Sequence, residues 1–414
     1  MRNLKKALSV LVISLLAISL VVPAAAANEQ VSLSFNGQEY QADLYIENGV
    51  SYISAASLSK IPGLEIENKD YVPLRSVFEA QKGEVKWDGS KNQINISWRE
   101  KQDEWTVNDL LLQSTIKMQE LNTYKMQGEA VMNMVIDGAN AEEIPAIPET
   151  STYLEAVYQQ EPLAMYMLQT VKLPLEDMDL TEEEMALIGQ NAMTTEMVWK
   201  DNAIYQKMPP FEQWIVQDLA ELGMMDQLTN LMQVTPQQSL EMMNEFGVIN
   251  VFGEDKVIDG EEYYVVRTFV DSEIFKKLLD EMLEEYNLME LIASTQPLPQ
   301  DEEIDMEQIM AEAEEIIKQM FANMELNYYI DNLIHKESLL TDYMTIDIDM
   351  KFELGENIVP EGPVSLAMNM FGDFKLFDFG EEIQLPDVSD AITQQEFLQQ
   401  LQDMMGAEEV MMEE

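Results

Sequence analysis

A single histidine, His335, limits the acid–base and metal chemistry open to this chain. A Ser–His–Asp triad or a His-ligated zinc site would have to use it, and the sequence holds neither a Gly-x-Ser-x-Gly elbow nor a second imidazole. At the end of an alternating stretch, His335 reads as a surface or turn residue. No Gly-rich loop has the spacing that cradles a phosphate. Carboxylates number 77, so their pairs select nothing. Thr181-Glu182-Glu183-Glu184 reads as a helix cap with a favourably charged first turn, and Glu284-Glu285 and Glu314-Glu315 as solvated helix faces. Asp347 and Asp349 share one strand face and can hold Ca²⁺ only weakly. They lack the glycine and terminal glutamate of a twelve-residue calcium loop, and nonspecific cation condensation is the simpler account. Nothing singles out a glycosidase-type acid pair. The residues therefore predict a non-enzymatic protein, with no cofactor, no catalytic residue and no dedicated metal site.

Methionine is the compositional exception, at 31 residues. Thioether pairs such as Met132/Met134, Met242/Met243 and Met411/Met412 have the softness that Cu(I) prefers. Flexible methionines also suit a cavity that adapts to varied acyl chains, and they can simply replace leucine in a core. Most methionines fall at alternating or helical positions, which favours the core reading; for a cavity, Met132, Met134, Met350 and Met368 are the candidate lining.

The elements that would position these residues are mostly strands. Over Tyr343–Leu354, Met344, Ile346, Ile348, Met350, Phe352 and Leu354 alternate with Thr345, Asp347, Asp349, Lys351 and Glu353. A period of two puts the sets on opposite faces. Met324–Asp331 and Val364–Phe371 repeat the scheme, which predicts an antiparallel meander with one solvated face and one face covered by the earlier helices. Tyr124, Met126, Gly128, Ala130, Met132, Met134 and Ile136 alternate in the same way. Leu163–Leu173 and Met193–Lys200 read as further strands, Asp201-Asn202 as a turn, and Val248–Ile258 with Glu261–Val270 as a hairpin over Asp259-Gly260. Thr106 reads as the cap of a helix to about Leu121 with Leu110, Leu111, Ser114, Met118 and Leu121 near one face. Thr235-Pro236-Gln237-Gln238 reads as a helix start. Ser272–Ile292 and Asp301–Phe321 read as two acidic amphipathic helices.

A net charge of −53 repels nucleic acid and anionic headgroups and favours solubility. It fits a salty or alkaline medium, and can attract cations or a basic partner. Met1–Ala27 has a basic start, an apolar run from Ala7 to Val22 and Ala25-Ala26-Ala27, which reads as a secretory signal cleaved before Asn28, with an uncleaved anchor as the alternative. Loss of Arg2, Lys5 and Lys6 leaves the mature chain near −56. The chain has no cysteine, so an exported product relies on its cores and not on disulfides. No later stretch is apolar enough to span a bilayer.

Residues 31–98 contain an imperfect echo. Ser51–Leu58 aligns with Asp70–Val77, each a short strand leading into a small helix, and the second copy continues through Phe78-Glu79-Ala80 to the hairpin signal Asp88-Gly89. Tyr71-Val72-Pro73-Leu74-Arg75, Phe78-Glu79-Ala80 and Val85-Lys86-Trp87-Asp88-Gly89 resemble the copper amine oxidase N-terminal-like (stalk) domain, a module of exported Gram-positive proteins. The first copy departs from that pattern at Ser54, Ala55 and Ala56. The resemblance implies neither copper nor oxidation, since the catalytic part of those oxidases lies elsewhere. Arg75 reads as a brace paired with a local carboxylate, and Tyr71, Val72 and Leu74 as core.

The order that follows (a helix, antiparallel strands, inserted helices, a hairpin, a final meander) resembles the lipoprotein-localisation carrier (LolA-like) fold found in Firmicute surface proteins. Tyr328-Tyr329-Ile330-Asp331 leading into Tyr343–Met350, and Phe374–Pro386, carry the likeness. The resemblance implies a curved antiparallel half-barrel wrapped around helices, and a cavity that holds acyl chains.

The expected fold is α+β: residues 1–27 a signal, 28–98 a stalk-type α+β module, 99–103 a junction, 104–388 the LolA-like domain and 389–414 an acidic Met-rich tail. The expected function is an exported, secreted or cell-surface envelope protein that binds a lipid or other hydrophobic ligand. The alternative is a structural or adhesive surface module with a filled core. A cell-wall or surface component is the candidate partner of the stalk-type module, with no nucleic acid and no transmembrane segment after signal cleavage.

Overall fold

A computed structural model describes residues 31–61, 63–67, 69–138, 149–172, 192–207, 211, 213–219, 235–277, 323–354, 364–397 and 399–400. The expected signal, the helix start at Thr181, the helix Asp301–Phe321, most of Ser272–Ile292 and the Met404–Glu414 end lie outside these residues.

The chain begins with β1 (Ser32–Phe35), β2 (Gln38–Glu39), β3 (Leu44–Glu47), β4 (Val50–Ser54), α1 (Ala55–Ser59), β5 (Tyr71–Pro73), α2 (Leu74–Ala80), β6 (Glu84–Asp88) and β7 (Gln93–Ser97). The sequence echo becomes a structural one. Strands β4 and β5 each lead straight into a helix, and they pair antiparallel through Ile53↔Val72 in a sheet of order β3-β4-β5. A second sheet has the order β2-β1-β7-β6, with β1 and β7 parallel. Leu33, Phe35, Ile53, Leu58, Val72, Leu74, Phe78, Ile96 and Trp98 are each at most 2% exposed and form the centre of the core between these pieces.

Arg75 pairs with Glu79 one helical turn on, at 3.3 Å, as a local brace. Tyr71, expected in the core, stands half-exposed instead: Val72 and Leu74 point inward, while the Tyr71 hydroxyl donates to Asp43. The hairpin signalled by Asp88-Gly89 forms, with a four-residue turn. Asp88 pairs with Gln93, and its carboxylate accepts from Ser90 N at 2.9 Å and Ser90 Oγ at 2.6 Å, which spreads the turn over residues 89–92.

Next come β8 (Lys101–Gln102), β9 (Trp105–Thr106), α3 (Val107–Leu121), β10 (Thr123–Gly138), β11 (Thr150–Gln159), β12 (Ala164–Lys172), β13 (Ala192–Lys200), β14 (Ala203–Lys207) and β15 (Ile215–Asp218). They are followed by α4 (Pro236–Phe246), β16 (Ile249–Phe252), β17 (Lys256–Ile258), β18 (Glu261–Asp271), β19 (Glu325–His335), β20 (Thr341–Leu354), β21 (Val364–Phe377) and β22 (Ile392–Thr393). Thr106 Oγ1 accepts from Asp109 N at 3.1 Å, which caps α3 as its sequence predicts. Helix α4 starts with a capping box between Thr235 and Gln238 and has Pro236 in its first turn. Asp201-Asn202 and Asp259-Gly260 form two-residue turns with both central residues at positive φ.

Thirteen strands among the described residues form one large sheet of order β16-β18-β19-β20-β21-β10-β11-β12-β13-β14-β15-β22, with β17 pairing β18. The architecture is α+β, mostly β. The sheet is mixed and not wholly antiparallel: β22 runs parallel to β15 through Ile215↔Ile392 and Val216↔Thr393. No hairpin joins those two strands, so nothing constrains them to run in opposite directions.

The chain divides into two compact units: Met1–Lys117 with Met134–Ala146 and Leu231–Phe371, and Met118–Asn133 with Ile147–Asn230 and Gly372–Glu414. In the first unit both faces of the sheet are covered near β18. On one, Val107 and Leu110 of α3 pack against Phe252, Tyr264, Val266 and Ile334, and Ser114 Oγ lies 3.0 Å from Thr341 Oγ1. On the other, Ile249, Val251 and Phe269 join the core of the N-terminal strands, with Tyr329 packed against it.

The meander face expected to be solvated is therefore partly dry. Phe269 stacks on Tyr329 at 4.7 Å, and Asp331, 7% exposed, forms a two-point ion pair with Arg267. The alternating pattern named this face polar because Asp and Asn dominate it; long-range packing decided which of its residues meet water. Further along, Asp347, Asp349, Lys351 and Glu353 are exposed, while Ile348, Met350 and Phe352 are buried as predicted.

Candidate functional site

In the second unit, strand registers decide which side chains share a face. Tyr124 pairs with Tyr158, Tyr158 with Met165, Met165 with Trp199, Trp199 with Ile204 and Ile204 with Gln217. One residue pair along, Met126, Ala156, Met167, Met197, Gln206 and Ile215 form the next cross-strand row. Because side chains alternate along each strand, both rows stand on the same side of the sheet. Beyond them on that side lie Gly128, Leu154, Gln169 and Thr195, then Ala130, Thr152, Val171 and Met193, and Met132 opposite Thr150.

No residue of this face is ionised at neutral pH, in a chain with 77 acids among 414 residues. Its methionines are half-buried, except Met193, which is 40% exposed. At one end Tyr124 and Tyr158 meet with ring centroids 5.1 Å apart, and burial pushes the Tyr124 hydroxyl up to about 12. Along another border Phe374, 9% exposed, lies over Gly128 and Gly372. A Cβ on Gly128 would fall 2.5 Å from the Phe374 ring and 2.2 Å from the Asp373 carbonyl, so only glycine leaves room there.

The opposite side of the same strands carries the charges, around a small buried cluster of Val198, Trp214 and Val388 against which Tyr166 and Tyr205 pack. Lys125 binds Asp378 at 2.7 Å, the Tyr166 hydroxyl donates to Glu196 at 3.0 Å, and Lys207 reaches Glu196 at 3.1 Å. Burial first, and then the Glu196 carboxylate, raise Tyr166 to about 12. A sheet with one charged face and one uncharged, thioether-rich face can hold an apolar partner on the second without stranding a charge.

The four candidate methionines fall in two places. Met132 closes the uncharged face just described, and Met134 is the next residue of β10 on that side, within the first compact unit. Met350 and Met368 lie in the first unit, 4% and 5% exposed. Asn369 Nδ2 donates to Asp349 across β20 and β21, so alternation puts Met350 and Met368 together on the buried side of those two strands. Sequence reasoning did not single out Met126, Met165, Met167, Met197, Tyr158 or Trp199. Their parity within β12 and β13 was visible, but which parity of β12 faces the same way as Met132 depends on the register across β11.

His335 is occupied structurally. Its Nδ1 accepts from Ser338 N at 3.1 Å, which leaves the proton on Nε2, 3.0 Å from Glu261 Oε2, and its ring meets Tyr263 edge-on at 5.3 Å. Among the described residues no group of three His, Cys, Asp or Glu is arranged to hold a metal ion, and no helix is long and apolar enough to cross a membrane.

A family profile matches residues 106–395, and it describes a family of unknown function (DUF6612). No curated protein matches the chain. Among solved structures, the lipoprotein LppX of Mycobacterium tuberculosis is similar at 11% identity over 68% of this chain and 98% of its own, with a TM-score of 0.30. LprF of Mycobacterium bovis is similar at 10% identity over 68% and 96%, with a TM-score of 0.28. A domain described as a candidate outer membrane lipoprotein-sorting protein of Vibrio parahaemolyticus is similar at 7% identity over 66% and 95%, with a TM-score of 0.17. All three scores are low.

Proposed function

Taking as premise that the chain belongs to the DUF6612 family, we propose that it is an exported, non-enzymatic envelope protein that holds a hydrophobic ligand, with lipid the leading class. The supporting observation is the uncharged, half-buried face of β10–β15, with Met165 between Tyr158 and Trp199, Met126, Met167 and Met197 in the adjoining cross-strand row and Met132 farther along β10. Thioether side chains are flexible and polarizable, so such a face accepts apolar chains of varied shape. In this reading residues 28–98 are a stalk-type module, residues 104–388 the carrier domain, and the leader directs export to the cell surface.

The test is native mass spectrometry of protein purified from its own host, combined with lipid extraction. About one apolar molecule per chain is expected, and Met167→Trp should lower that occupancy while the thermal midpoint stays in place. A bare mass, with a lipid-retaining control run alongside, overturns the proposal. The second reading, a surface module with a filled core, is favoured by Met350 and Met368, which are already closely packed at 4% and 5% exposure. A bare mass supports that reading, whereas occupancy that Met167→Trp leaves unchanged would mean that the ligand is held away from this face.

A further inference from the structure

The N-terminal hairpin β3–β4 presents a short, open strand edge. Among the described residues β3 pairs only with β4, in an unbroken register from Leu44↔Ile53 to Glu47↔Val50. Lysine, proline and bulges blunt many exposed edges; Leu44-Tyr45-Ile46-Glu47 has none of these, and its protection is its four-residue length and the charge of Glu47. Tyr45, Ile46 and Val50 are 43%, 46% and 41% exposed, a concentration of large apolar side chains in one hairpin.

The face carrying Tyr45 is built for positive charge. Tyr45 stacks on Tyr52 with centroids 5.1 Å apart and planes at 12°, and Tyr71 meets Tyr45 edge-on at 5.1 Å. Alternation places Asp43 and Glu47 on either side of Tyr45, and the Tyr71 hydroxyl donates to Asp43. Aromatic rings flanked by carboxylates attract ammonium and guanidinium groups. Pairing with a second copy is opposed by the same residues: an antiparallel dimer centred on Tyr45 sets Asp43 against Glu47 of the other chain, and each chain carries a net charge of −53.

We propose that β3 is a docking edge at which an extended, cationic segment of a partner protein adds as a fourth strand, with its Lys or Arg side chains over Tyr45 and between Asp43 and Glu47. Main-chain pairing along β3 supplies affinity, and the tyrosine–carboxylate face selects charge. This site is separate from the methionine-bearing face, and either proposal can fail without the other.

The probe is a short acetylated peptide of alternating lysine and valine, tested on the full chain beside a version of equal charge interrupted by proline and a glutamate–valine version. The expected result is slowed amide hydrogen exchange across Leu44–Glu47 with the lysine–valine peptide alone. Tyr45→Ser should weaken its binding about fivefold or more, and Ile46→Lys, which puts a charge on the edge, should weaken it also. Ile46 is exposed, so Ile46→Lys should keep the thermal midpoint of the parent, whereas Tyr45→Ser also removes ring contacts with Tyr52 and Tyr71 and is compared well below its own midpoint. Equal binding of the proline-interrupted peptide, unprotected β3 amides, indifference to Tyr45→Ser, or no binding at all each overturns the proposal, since bulk charge attraction predicts the first three.

Discussion

At the scale of single residues, burial and neighbouring charge decide roles that composition leaves open. Asp347 is one acid among 77, yet desolvation and then the Asp349 carboxylate hold its pKa above the ordinary 3.8, and Arg267 only partly offsets this. A carboxyl raised on folding binds more protons in the folded than in the unfolded chain. Its contribution to stability therefore falls as pH rises from the ordinary value through the folded one. Asp347→Asn should raise the urea midpoint at pH near 7 and bring no gain at pH near 3, where the parent carboxyl is protonated in both states. An unchanged midpoint near neutrality would show that the site is solvated well enough to carry its charge freely. The alternation of Tyr343–Leu354 made the face of Asp347 legible from sequence. The Arg267–Asp331 pair that electrostatically shapes its surroundings was not, because those residues lie 64 positions apart.

Elements show the same division of labour. Capping residues and two-residue turns are local chemistry, and Thr106, Thr235, Asp201-Asn202 and Asp259-Gly260 act in the structure as their types predict. What covers a strand is decided at long range. Phe269 is fully buried, stacks on Tyr329 and joins a core that also contains Phe35, Phe78 and Trp98. Phe269→Ala should therefore cost about 3–5 kcal/mol, read as a lowered midpoint in urea unfolding. A loss below about 1 kcal/mol would mean that β18 and the N-terminal strands do not depend on a shared core. Methionine positions follow the same logic. Parity put Met126 and Met132 on one apolar face of β10, but only cross-strand register assembled Met165, Met167 and Met197 beside them.

For the whole molecule, net charge is the controlling quantity. A chain at −53 repels itself in any compact state. Raising NaCl from about 0.01 M to about 1 M shortens the screening length roughly tenfold, and the thermal midpoint should climb with it; a flat or falling response would show that the carboxylates are already neutralised by local pairing. Sequence alone determined the acidity, the lack of cysteine, the predominance of strands and the local caps and turns. These follow from residue counts and from periods of two and about four along the chain, which are local properties. Tertiary structure decided the mixed sheet, the cover over the nominally polar meander face, the exposure of Tyr71 beside Tyr45, and the uncharged face of β10–β15. Each of those depends on register and on contacts between distant segments, and alternation within a strand fixes two faces without saying which neighbour each will meet.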